Sequence, residues 1–198
     1  MNKISLLCQK IRIDVNNTNL YYDRFENNPD EWTNYCVAMG VLEDASLALE
    51  YYENSGLKGN DGLIYLKLYG VLQAVVLQQD AICNLYKIII GRDLKPKWSK
   101  IRNLRNLTVG HPIKCVRNRN KSNEIIKRCY ITRMSKDRRE LYLSIWNKRE
   151  GTDKQVKINL LILYRSYKKE AIKYLKEVTV KLKKMRFFRN LGSNPGTH

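Results

Sequence analysis

Residues 61–91 read DGLIYLKLYGVLQAVVLQQDAICNLYKIIIG. Apolar side chains recur there at spacings of three and four, which is typical of an amphipathic α-helix. The segment follows the loop Ser55–Asn60 and closes with Gly91, a residue type that ends helices. We predict a helix here, with Gln78 and Asp80 facing water; the alternative is that one residue of Gln78-Gln79-Asp80 faces the segment 105–112. Its broad apolar face consists of Tyr65, Leu68, Tyr69, Leu72, Val75, Val76, Gln79, Ile82, Cys83 and Tyr86.

Further helices are predicted on both sides of this segment. Apolar spacing indicates helices over 3–26 and from about 28 to 54, the second opened by the start signal Asn-Pro-Asp-Glu. A short helix is predicted over 97–109. A long last helix is predicted from about Lys154 to Phe188, because apolar residues recur at threes and fours along that range.

Between the last two helices the pattern changes to that of strands. Ile125–Met134 and Leu141–Trp146 are rich in β-branched and aromatic residues, and a polar turn over 136–139 separates them. The predicted fold is therefore mainly α: an up-and-down helical bundle with an inserted β-hairpin over about 124–148 and a long C-terminal helix. The chain, 198 residues, is expected to form a single domain with a disordered tail over about 191–198.

Charge is distributed unevenly along the chain. Residues 1–94 carry eight Lys and Arg against twelve Asp and Glu, a net −4, whereas residues 95–198 carry 29 against seven, a net +22. Such a basic half indicates a polyanionic partner, of which nucleic acid is the commonest. An anionic membrane surface is the second possibility, although no basic helix with an aromatic lipid-facing edge is evident.

The five cysteines are scattered and form no Cys-x-x-Cys pair, so neither a disulfide framework nor a zinc site is predicted. We expect reduced, mostly buried thiols, no cofactor and no metal. No secretory signal and no stretch of transmembrane length is present, which favours a cytoplasmic protein without membrane association.

The segment 105–112, RNLTVGHP, contains the residues best suited to chemistry. A lone imidazole, here His111, moves protons near neutral pH, and Arg105 is a good phosphate clamp. On a continuous helix the two would lie about 120° apart around the axis. They converge only if the helix stops first, and Gly110, as a left-handed cap, and Pro112 supply that stop. The segment also fits a simple helix end, with a histidine favoured by the helix dipole.

This pattern predicts cleavage of RNA. The 2′-hydroxyl of RNA supplies the nucleophile, so an enzyme needs only a proton-transfer group and a positive clamp. His111 is the predicted general acid or base, Arg105 the predicted stabiliser of the phosphorane charge, and Asn106 the residue that orients a phosphate oxygen or the imidazole. His198, the other histidine, lies in the tail. The predicted RNA-binding residues are Arg102, Lys114, Arg117, Arg119 and Lys121.

The helices leading to the motif Arg-Asn-x4-His over 105–111 resemble the HEPN superfamily of bacterial and archaeal ribonucleases and toxins. The resemblance covers about residues 30–112 and the final helix. It implies a HEPN-like helical bundle, a metal-independent endoribonuclease and a composite site at a homodimer interface. It also implies a role in toxin–antitoxin pairs, abortive infection or antiviral defence, with an antitoxin or defence-system protein as a further partner.

Two departures from the family pattern limit what is carried over. The hairpin is not part of the minimal bundle, and Ile113 stands where one toxin subgroup has a tyrosine, so regulation through that tyrosine is not implied. Two other functions stay open. One is a non-catalytic RNA-binding or complex-assembly module with the same bundle. The other is a DNA-binding regulator, although no helix-turn-helix spacing supports it.

Overall fold

The computed structural model describes residues 2–17, 25–110, 116–117, 125–135, 137 and 139–192. It is mainly helical, with a small antiparallel sheet and a long last helix. The helices are α1 (Lys3–Asn17), α2 (Pro29–Ser55), α3 (Asp61–Ile90), α4 (Ser99–Arg105) and α5 (Leu160–Gly192), and a π-helical turn (Asn106–Gly110) follows α4. The strands are β1 (Val116–Arg117), β2 (Ile125–Met134), β3 (Glu140–Asn147) and β4 (Thr152–Asn159).

Helices α2 and α3 begin and end where the sequence predicts. The side-chain oxygen of Asn28 accepts a hydrogen bond from the Glu31 amide at 3.2 Å, and Pro29 follows as the first helical residue. Asn60 caps α3 in the same way, accepting from the amide of Leu63 at 3.0 Å. Gly91 ends α3 with φ at +84°, a left-handed conformation that costs glycine little.

The described residues form two compact units. The first takes its described residues from 1–50, 77–96 and 169–198, and its described elements are helices. Within it Arg12 forms a two-bond ion pair with Glu43, and Tyr86 donates to Glu177 at 2.8 Å, so polar contacts join α1 to α2 and α3 to α5. Its apolar core includes Ile4, Cys8, Ile11, Met39, Leu42, Ile82, Leu85, Leu175, Val178 and Leu182.

The second unit contains residues 51–76 and 97–168, and it holds the sheet. The strands are antiparallel neighbours in the order β1-β2-β3-β4, and Leu143 lies opposite both Ile131 and Val156. The backbone amide of Leu160, the first residue of α5, donates to the carbonyl of Arg139 at 2.9 Å. The core of this unit includes Ile64, Leu68, Leu72, Trp98, Ile101, Leu104, Leu141, Leu143, Leu160 and Tyr167.

The predicted hairpin is confirmed, but the predicted start of the last helix is wrong. Residues 152–159 form β4 against β3, and α5 begins only at Leu160. From the sequence, Val156 can belong to the apolar face of a helix or to a strand in which it alternates with polar residues and is followed by Ile158 on the same face. In the structure Val156 pairs with Leu143 of β3, which stabilises the strand. Helix α1 is described over Lys3–Asn17, and residues 18–24 of the predicted range 3–26 lie outside the described residues.

The expectation that Gln78 faces water is wrong as well. The side chain is fully buried, and its Nε2 donates to Oγ of Ser46 at 2.8 Å. Ser46 in turn donates to the carbonyl of Leu42 at 2.6 Å. The hydroxyl that accepts from the buried Gln78 amide is therefore itself hydrogen-bonded within α2. Asp80 is exposed, as predicted. The tail beyond residue 192 lies outside the described residues.

Candidate active site

The helix that carries the motif widens before it ends. Helix α4 stops at Arg105, and the chain continues as a π-helical turn to Gly110, so the predicted regular helix over 97–109 is only partly formed. The Asn106 amide donates to the carbonyls of both Arg102 and Asn103. Buried Thr108 donates through Oγ1 to the carbonyl of Leu104 at 2.8 Å, a local bond that competes with the backbone pattern. Single π-helical turns are frequent at functional sites.

Two amide oxygens fix the Arg105 guanidinium. Its Nε donates to Oε1 of Gln73 on α3 at 2.9 Å, and its Nη1 donates to Oδ1 of Asn106 at 3.1 Å. The side chain is half-buried, whereas Asn106 is exposed. Among the residues the structure describes, these bonds use two of the five N–H donors of Arg105 and leave three for a ligand. The arrangement pre-orients a cation with donors available for a phosphate or carboxylate.

Gly110 provides the space that this cation occupies. A Cβ atom built on Gly110 would lie 2.8 Å from Nη1 of Arg105 and 3.7 Å from Oδ1 of Asn106. The predicted left-handed cap at Gly110 is wrong, because its φ lies outside the left-handed range; the four glycines with positive φ in the described chain are Gly56, Gly59, Gly91 and Gly151. The glycine is therefore needed for close approach to a side chain and not for backbone conformation.

The structure brings Arg105 and Asn106 together and describes part of the remaining predicted set. Arg102 is a half-buried residue of α4, one turn before Asn106. Arg117 belongs to β1, where its backbone pairs with Ile125. The remaining residues lie outside the described ranges, so their approach to Arg105 stays a prediction: His111, Lys114, Arg119 and Lys121.

Sequence reasoning missed Gln73, the partner of the arginine. The residue interrupts an apolar run, Val71-Leu72-Gln73-Ala74-Val75, and that single polar interruption was the available signal. Gln73 lies 32 positions before Arg105 in the sequence, so the pair is recognised only from the hydrogen bond in the tertiary structure.

A separate cleft of about 730 Å³ lies in the same unit without Arg105 in its lining. Glu53, one of its acids, accepts from the Tyr164 hydroxyl and from Nζ of Lys168, both at 2.5 Å. Burial and the hydrogen bond to Glu53 raise the pKa of Tyr164 above its ordinary range. The exposed cations Lys58 and Arg165 also line the cleft. Sequence analysis did not predict this cleft.

Two negative findings concern the described ranges. In them, no group of three or more His, Cys, Asp or Glu side chains is placed to hold a metal ion. No helix in those ranges combines the length and the apolar character needed to cross a membrane. Of the thiols in those ranges, which were expected to be mostly buried, Cys8 and Cys129 are buried, Cys83 is half-buried and Cys36 is exposed.

Comparison with protein-family models, with curated proteins and with solved structures finds no match to this chain. The geometry of the residues themselves is therefore the basis for assigning a function.

Proposed function

We propose that this protein is a metal-independent endoribonuclease of the HEPN type, with Arg105, Asn106 and His111 as its catalytic residues. One observation carries the proposal: the Arg105 guanidinium is held by Gln73 and Asn106 with donors left for a ligand, beside a glycine that makes room for it. His111 directly follows that glycine in the sequence. RNA transesterification needs a fixed cation and groups that transfer protons, and His111 is the proton-transfer group that each chain offers.

The proposed reaction uses the substrate's own nucleophile. The ribose 2′-oxygen attacks phosphorus and forms the new P–O bond while its proton passes to a base. The bond from phosphorus to the 5′-oxygen breaks, and an acid protonates that oxygen. The products are a 2′,3′-cyclic phosphate and a 5′-hydroxyl, and no electrons are exchanged with a cofactor. Arg105 stabilises the extra negative charge on the phosphorane, where preorganised donors are most effective.

A dimer is expected because this reaction needs two proton-transfer groups. Attack needs a base and departure of the 5′-oxygen needs an acid, yet each chain offers one histidine outside its tail. Two chains related by a two-fold axis would bring two imidazoles to one site. The net +22 of residues 95–198 supports an RNA partner for such a site. A role as a toxin or as an effector of antiviral defence, in the cytoplasm and with an antitoxin or defence-system partner, belongs to the same proposal.

The test is cleavage of a labelled, unstructured RNA in excess EDTA, with the product ends identified by mass spectrometry. We expect cyclic phosphate ends, and losses of about a hundredfold or more for Arg105→Ala and for His111→Ala. Arg165→Ala, which removes an exposed arginine from the cleft of the same unit, is the matched control and should leave cleavage unchanged. Metal-dependent cleavage that survives both motif substitutions would overturn the site and the mechanism.

A further inference from the structure

The sheet has a second face that the core does not use. Side chains alternate along β3, so Leu141 and Leu143 are buried on one face while Tyr142 and Trp146 point to the other. Register places β2 and β4 residues beside them on that same face. We call it the aromatic face; it consists of Arg128, Tyr130, Arg133, Glu140, Tyr142, Ser144, Trp146, Asp153, Gln155 and Lys157.

Cations lie against the rings of the aromatic face. The guanidinium of Arg133 lies 4.3 Å from the ring centroid of Tyr142, and that of Arg128 lies 5.2 Å from that of Trp146. Each pair consists of directly opposed residues on β2 and β3. Such contacts place each guanidinium beside a ring, and both kinds of group can stack on flat π systems.

Exposure on this face is unusual for aromatic residues. Tyr130 is 58% exposed, although the solvent side of an antiparallel sheet normally carries polar residues. Ser144, opposite Tyr130, is 1% exposed, and its hydroxyl has no hydrogen-bond partner in the described part of the chain. Tyr142 and Trp146, on either side of Ser144 along β3, are half-buried, so Tyr130 is the most exposed of the three rings.

Charge on the aromatic face is partly balanced at one edge. Lys157 forms an ion pair with Glu140 at 2.9 Å, and Asp153 lies opposite Trp146. Arg128 and Arg133 remain as exposed cations along β2. Strand β2 also packs against the π-helical turn Asn106–Gly110, so the aromatic face and the arginine of the candidate active site belong to one unit.

We propose that the aromatic face binds single-stranded RNA, with bases stacked on Tyr130 and Trp146 and phosphates contacted by Arg128 and Arg133. Aromatic rings accept any base because every base has a π face, and interleaved cations follow the backbone. The choice of RNA over DNA rests on the proposed function. The binding itself does not, since a strand can be held here whether or not it is cut at Arg105.

Binding is best measured where no cleavage can occur. In the Arg105→Ala background, fluorescence anisotropy with a labelled 12-nucleotide oligouridine should give about 5- to 100-fold weaker binding for Tyr130→Ala and for Trp146→Ala. Trp146→Phe should retain most affinity because it keeps a ring. Tyr51→Ala is the matched control: Tyr51 is 60% exposed and has Nζ of Lys67 at 5.4 Å from its ring centroid, but it lies on α2.

A spectroscopic readout separates stacking from loss of fold. Oligouridine should quench tryptophan fluorescence, and Trp146→Phe should remove that quenching while circular dichroism stays unchanged. Unaltered affinity for both alanine variants, or the same loss in Tyr51→Ala, would overturn the aromatic face as the binding surface. Equal binding of oligodeoxythymidine would overturn the assignment to RNA. Failure of the parent protein to cut RNA, with these binding results intact, would count only against the proposed function.

Discussion

Gly110 lies against the end of the Arg105 side chain, where a Cβ atom on the glycine would be 2.8 Å from Nη1. Gly110→Ala should therefore displace the guanidinium and lower kcat/KM for RNA by about 10- to 100-fold, since small misplacements of a catalytic group are costly. Stability should change little, because the nearest atom is the end of a flexible side chain. Cleavage assays and thermal unfolding measure the two effects.

Gly70→Ala is the control for this substitution. Gly70 lies within α3 and nothing is within 4 Å of its built Cβ, so alanine should stabilise the helix by about 0.5–1 kcal/mol and leave cleavage unchanged. Full activity of Gly110→Ala would show that the position of the guanidinium does not matter for the reaction.

Gln73 is expected to act through Arg105. Gln73→Leu removes the acceptor 2.9 Å from Nε of Arg105 and should lower kcat by about tenfold, with a smaller change in KM because the arginine acts on the transition state. In the Arg105→Ala background the same substitution should cost nothing further. Gln9→Leu, at an exposed position of α1, is the comparison variant. Additive losses in the double variant would contradict the coupling.

The active protein should be a homodimer. Each chain has a mass of 23.4 kDa, and light scattering at micromolar concentration in about 150 mM salt should give twice that value. Mixing Arg105→Ala chains with His111→Ala chains should restore some activity if the site combines residues of both chains. A monomer under these conditions, with RNA present, would contradict the composite site.

RNA binding should depend steeply on salt. For a single strand, the slope of log affinity against log salt is about −0.7 per phosphate contact. Replacing the exposed Lys176, Lys181 and Lys183 of α5 with Gln should reduce the slope and weaken binding equally for different sequences, because phosphate contacts carry no base information. Replacing Lys3, Lys10 and Lys87 removes the same charge from the first 94 residues and should have less effect. A slope near zero would contradict the RNA interface.

Thiol reactivity should report burial in the first unit. Burial raises the pKa of Cys8 from 9.0 to about 12, partly opposed by a hydrogen bond with Ser46, whereas Cys36 is exposed. Alkylation at pH 8 followed by peptide mapping should label Cys36 and leave Cys8 unlabelled until the protein is unfolded. Rapid labelling of Cys8 in the folded protein would contradict the packing of α1.

The same pKa predicts a loss of stability at alkaline pH. Because the folded pKa lies above the unfolded one, Cys8 contributes stability that is complete below the unfolded value and is lost as pH rises towards about 12. Urea unfolding at increasing pH should show the loss, and Cys8→Ala should reduce it. An alkaline dependence identical in Cys8→Ala would assign it to other groups, among them Tyr35, whose pKa burial raises to about 12.

Features that depend on neighbours along the chain can be predicted from the order of residues. Helix α2, helix α3 and the hairpin of β2 and β3 follow from periodicity together with Asn28, Asn60 and Gly91, because caps and spacing act over a few residues. The uneven charge and the motif from Arg105 to His111 are also readable from the order of residues.

Contacts between residues that are distant in the sequence follow only from the fold. The Gln73–Arg105 and Ser46–Gln78 hydrogen bonds each join residues 32 positions apart. Residues 152–159 form β4 because they pair with β3. The sequence around a polar side chain such as Gln78 does not show whether its hydrogen-bond partner is water or a buried hydroxyl. Packing removes the water, and the hydrogen-bonding groups that remain must then find partners across the fold.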